Sequence, residues 1–131
     1  MQDNRTRSII IAEDESIIAM DIKNILSMAG YNILSIVRNK KELIKEVSSK
    51  KPDLIVMEIK MKGKTDETQG PYEIKNSFDM PVLFISDSYS NEKPIIDATE
   101  PVNHNVIAKP YEEKKLLNMV ENLLNTEARA C

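Results

Sequence analysis

A chain of 131 residues, 41% of them hydrophobic and 30% charged, holds enough apolar material for one domain with one core and is too short for two. Its formal net charge of −3 gives no electrostatic case for nucleic acid, whose binding needs a basic face to displace counterions. With one cysteine, Cys131, and one histidine, His104, the chain can build neither a disulfide framework nor a Cys/His metal cluster, which fits a reducing cytoplasm.

Residues 1–7 are polar and read as a flexible terminus. Residues 9–12 are β-branched and continuously apolar, the pattern of a strand covered on both faces, and far too short for a signal-peptide core or a membrane span. Glu13, Asp14 and Glu15 follow its end directly. Ile18, Ile22, Ile25, Leu26 and Ala29 then recur at helical spacing until Gly30 supplies a stop. Ile33, Ile36 and Val37, with Ser35 among them, make a second, less apolar strand suited to a sheet edge. Asn39 and Glu42 have capping-box spacing. Leu43, Ile44 and Val47 form the buried stripe predicted for the second helix, and Pro52 closes it.

Residues 54–57 are a third apolar strand ended by Glu58, and 60–70 form a polar loop without periodicity. Gly70 and Pro71 can open a short third helix. Residues 82–85 are a fourth continuous strand ending in Ser86, Asp87 and Ser88. Ser90 or Asn91 can cap a fourth helix, which Pro101 keeps short. Residues 106–108 are a brief fifth strand before Lys109 and Pro110, and Leu116, Leu117, Val120, Leu123 and Leu124 stripe a strong last helix. The charges of 112–115 read as a solvated face, and residues 126–131 lack an apolar anchor and are predicted to fray. Met20, Met28, Met57 and Met119 read as core filler, and His104 as a loop residue.

Strands alternating with helices predict an α/β, doubly wound, five-stranded parallel sheet with helices on both faces, spanning residues 8–125 as one domain. The three continuously apolar strands belong inside and the other two at the edges. With right-handed crossovers this selects the flavodoxin-like order 2-1-3-4-5. The functional crevice of such a sheet lies at the carboxyl ends of its strands, where Glu13, Asp14, Glu58, Ser86 and Lys109 would meet. Carboxylates of this kind suit Mg²⁺, and a hydroxyl and an ammonium opposite would hold phosphate oxygens. The plainer reading is that Glu13 and Asp14 are loop charges favoured at a helix N-terminus, Ser86 is a turn residue, and Glu58 pairs with Lys109.

These separated motifs resemble the receiver domain of two-component response regulators over residues 8–124. Glu13-Asp14 is similar to the acidic pair that holds Mg²⁺. Lys109-Pro110 is similar to the Lys-Pro whose lysine contacts the phosphoryl group and whose peptide bond is cis, and Ser86 is similar to the switch hydroxyl. The resemblance implies a CheY-like fold, a protein partner such as a sensor histidine kinase or a downstream signalling protein, and contacts through the fourth helix, fifth strand and last helix. Glu58 stands where the family has its phosphoaccepting aspartate, Val106 where it usually has an aromatic switch residue, and Asp87 where many members have a small residue. Glu67 and Pro71 also depart from the family pattern.

The expectation is therefore a cytoplasmic, single-domain, non-enzymatic receiver module, monomeric or weakly dimeric, independent of phosphorylation. It would have weak Mg²⁺ affinity through Glu13, Asp14 and Glu58, and no nucleic-acid or membrane partner. Met1 favours a chain that acts alone. The alternatives are a receiver that accepts a phosphoryl group at a non-standard residue and a Mg²⁺-dependent phosphohydrolase. The latter lacks an aspartate nucleophile on the third strand.

Overall fold

The computed structural model describes residues 6–59, 79–87 and 106–130. The third and fourth helices expected from the sequence, and His104, lie outside them. The described elements are β1 (Ser8–Ala12), α1 (Ser16–Met28), β2 (Asn32–Val37), α2 (Lys40–Lys50), β3 (Leu54–Ile59), β4 (Val82–Asp87), β5 (Val106–Lys109) and α3 (Glu113–Ala130).

The five strands form one parallel sheet in the order β2-β1-β3-β4-β5. Its interior strands alternate their apolar side chains between two cores, because successive residues of a strand point to opposite faces. Ile9 and Ile11, Leu54 and Val56, and Leu83 and Ile85 point to one face and meet Ile22 and Leu26 of α1 and Leu116, Val120, Leu123 and Leu124 of α3. Ile10, Ile55 and Phe84 point to the other and meet Leu43 and Val47 of α2. Burial on both faces explains why these strands are continuously apolar. Losing a large side chain there, as in Ile10→Ala or Leu83→Ala, would cost about 2–5 kcal/mol.

The ends of the elements are set locally. Asn39 Oδ1 accepts the Glu42 N–H at 2.8 Å, while Glu42 Oε1 accepts from the Arg38 N–H, one residue before the usual capping-box donor. At its far end α2 closes on Lys51, whose N–H donates to the Val47 carbonyl from a left-handed conformation (φ 52°). Gly30 takes φ 103° after α1, a conformation that L side chains rarely adopt. Asp53 ties the start of β3 to that of β1: its Oδ2 accepts the Ser8 N–H and its own N–H donates to the Ser8 carbonyl, each at 2.8 Å.

Two expectations are corrected. Ile44 is 41% exposed, because Leu43 and Val47 one turn apart already face the sheet and Ile44 lies about 100° around the helix from Leu43. Met20 and Met28 are exposed on the outer side of α1, so they do not fill the core. The last helix spans Glu113–Ala130, as suits the strong helix formers among its final residues. Among the described residues no helix is long and apolar enough to cross a membrane.

Candidate functional site

The parallel register brings the carboxyl ends of the strands level. Ala12 pairs with Met57, so Glu13, just past the end of β1, and Glu58, still within β3, come next along adjacent strands, and the Glu13 N–H continues the ladder by donating to the Val37 carbonyl. On the other side Ile59 pairs with Ser86, Ser86 with Ala108, and Asp87 with Lys109. Four strands thus deliver Glu13, Glu58, Ser86 and Lys109 to one edge of the sheet.

Lys109 and Glu58 are joined directly. The Lys109 ammonium donates to Glu58 Oε2, reaching from edge strand β5 past β4 to central strand β3. The Glu58 side chain is only 3% exposed and that of Lys109 25%, so the pair is largely removed from water. A carboxylate so deeply buried requires a counter-charge, and Lys109 supplies it. The Lys109–Pro110 peptide bond is cis.

Glu13 is buried, at 4% exposure, and its Oε2 accepts the Glu15 N–H at 2.9 Å. Asp14 beside it is exposed. The Oε1 atoms of Glu13 and Glu58 are buried and accept no hydrogen bond among the described residues. Ser86 is buried at 7% exposure within β4, so it is not a turn residue. Val106, at the start of β5, packs as a partly buried side chain against the α2-side core.

Among the described residues no three Asp, Glu, His or Cys side chains are grouped to hold a metal ion. One oxygen of Glu13 is engaged by the Glu15 amide and one of Glu58 by Lys109.

Two neighbours of the pocket escaped the sequence reading. Tyr111 is half-buried, and burial foremost pushes its phenol above the usual tyrosine range, with Asp21 adding to the rise, Lys109 opposing it, and Glu58 and Glu13 contributing further. It therefore stays neutral beside the charged groups. Arg38, directly after β2, donates from Nη2 to Ser16 Oγ at 3.1 Å and so links the end of β2 to the start of α1. Its signal in the sequence was the same as that of Glu13, a charge immediately following a strand.

Residues 9–121 match the model of the response regulator receiver domain. The chain belongs to that family. It is 29% identical over 117 residues to the phyllosphere-induced regulator PhyR of Methylorubrum extorquens, covering 88% of this chain and 43% of PhyR. With the chemotaxis protein CheY of Bacillus subtilis it shares 25% identity over 117 residues, covering 89% of this chain and 97% of CheY. The chain spans about half the length of several curated relatives that it matches. In fold it is similar to the receiver domain of a modulated diguanylate cyclase from Desulfovibrio desulfuricans G20, with a TM-score of 0.80 at 21% identity, covering 97% of this chain and all of that one. The family places the chain in two-component signalling, and its homologues are response regulators.

Proposed function

We propose that this receiver domain signals through protein contacts without accepting a phosphoryl group, its pocket held in one charge state by the Lys109–Glu58 pair. The observation that carries the reading is the donation from the Lys109 ammonium to Glu58 Oε2 in a site that is nearly closed to water. In a receiver that takes up phosphate, this lysine would meet the incoming phosphoryl oxygens. Here it meets a carboxylate of its own chain. Glutamate is also one methylene longer than aspartate, which puts its oxygens in the space an incoming phosphorus atom would need. A misplacement of reacting atoms by about 1 Å costs on the order of a hundredfold in rate.

The partner is a protein, a sensor histidine kinase or a downstream signalling protein, reached through β5 and α3 together with the fourth predicted helix. Val106 in place of an aromatic residue leaves that face less responsive to the pocket. The module works as a single domain over residues 8–125, in the cytoplasm, and catalyses no reaction of its own. Mg²⁺ binds weakly, with Glu13 and Asp14 as the carboxylates that would hold it, because Glu58 is committed to Lys109.

Intact-mass measurement after incubation with acetyl phosphate and Mg²⁺ tests the reading. The wild-type protein should gain no stable phosphoryl group, and Glu58→Asp should gain one. A gain on the wild type, mapped by fragmentation to Glu58 or to another acceptor such as Asp14, would overturn it.

A further inference from the structure

Residues 38–51 hold six of the chain's 18 lysines and arginines but only two of its 21 aspartates and glutamates, so this stretch carries +4 and the rest of the chain −7. Both carboxylates are used inside the fold. Glu42 Oε1 accepts the Arg38 N–H, and Glu46 Oε1 takes the Ser35 hydroxyl at 2.6 Å and pairs with Lys50 at 2.9 Å. The Ser35 hydrogen bond, then that from Lys50, holds the Glu46 carboxyl below the usual glutamate range, so it remains charged and engaged. Lys41 and Lys45 are exposed and make no ion pair among the described residues. They lie one turn apart, where like charges destabilise a helix by a few tenths of a kcal/mol. Ile44, 41% exposed, lies between them, and Ser48 extends the same line.

We infer that the outer face of α2 is a docking surface for an acidic helix of a partner protein. Lys41, Ile44, Lys45 and Ser48 occupy positions i, i+3, i+4 and i+7, a single stripe about 10 Å long that matches one side of a second helix laid alongside. The complementary face carries carboxylates opposite Lys41 and Lys45 and an apolar side chain over Ile44. Docking there would relieve the lysine repulsion and cover the isoleucine. An anionic membrane is the poorer occupant. Interfacial insertion needs a broad apolar face, whereas Leu43 and Val47 are buried against the sheet and only Ile44 faces outward.

The test uses a fluorescein-labelled helical peptide in which two glutamates four residues apart flank one leucine, with a scrambled peptide of equal composition and phosphatidylglycerol vesicles as controls. Anisotropy should show binding at low salt that weakens as salt rises, and amide shifts should map to Lys41, Ile44, Lys45 and Ser48. Lys41→Glu with Lys45→Glu should weaken binding by at least about tenfold, with circular dichroism reporting the fold and the paired Gln substitutions serving as a second variant. Ile44→Ser should also lose affinity. Absent binding, equal binding of the scrambled peptide, indifference to the charge reversals, preference for vesicles, or sedimentation showing a second copy on this face would each overturn the assignment.

Discussion

Lys109 lies on an edge strand and Glu58 on the central strand two positions away, yet the lysine ammonium donates into the carboxylate across the intervening strand. The pair joins residues 51 apart in the sequence. Removing one partner should therefore hurt more than removing both. Lys109→Met should lower stability by about 3–5 kcal/mol by leaving Glu58 buried without a counter-charge, and combining it with Glu58→Met should restore most of the loss. Urea unfolding of the two single variants and the double variant checks this through the coupling energy.

Divalent-cation binding should respond to the same pair. Wild-type protein should show only weak Mg²⁺ affinity by calorimetry, and Asp14→Asn should weaken it further. Lys109→Met, which releases Glu58 Oε2, should strengthen it. If Asp14→Asn binds as wild type does, the acidic residues at the end of β1 are not the ones that hold the ion.

Alkaline pH should destabilise the fold through two tyrosines. Tyr31 and Tyr111 are both raised above the ordinary value of 10.0, chiefly by burial. Because the unfolded phenols ionise first, the stability they contribute is complete below pH 10.0 and is lost as pH rises through their folded values. Tyr111→Phe should flatten that decline. An ultraviolet titration in which neither phenol ionises later than a free tyrosine would contradict it.

The end of α2 offers a gain in stability. Lys51 holds φ 52°, which for a non-glycine residue costs about 1–2 kcal/mol, whereas glycine adopts it freely at some cost in unfolded-state entropy. Lys51→Gly should therefore raise stability by about 0.5–1 kcal/mol in denaturant melts. Conversely, Gly30→Ala at φ 103° should lower it although nothing lies within 4 Å of the added methyl, since the strain is in the backbone.

Strand order was readable from the sequence because burial on both faces writes a continuous apolar run, as in residues 9–11 and 82–85, while Ser35 and the brevity of β5 marked the edges. The Asn39–Glu42 cap was readable because its chemistry is local. The pairing of Glu58 with Lys109 was one of two readings, and only the folded contacts single it out. Side-chain azimuth was harder to read. Leu43 and Ile44 are adjacent and equally apolar, and nothing in composition says which one faces the sheet. Met20 and Met28 failed for a related reason, since α1 already buries Ala19, Ile22 and Leu26 and needs no further filler. Tyr111 was missed because its raised pKa comes first from burial, and then from charges such as Asp21, Glu58 and Glu13 that only the folded sheet brings near it.

Because β5 is a four-residue edge strand, detaching it takes little from the core yet withdraws the cation that neutralises a buried acid. Fraying at one side of the sheet would thereby become an electrical event at its centre. Water would have to reach Glu58 in place of the ammonium. Transient opening at this edge would thus wet a charge that the closed sheet keeps dry.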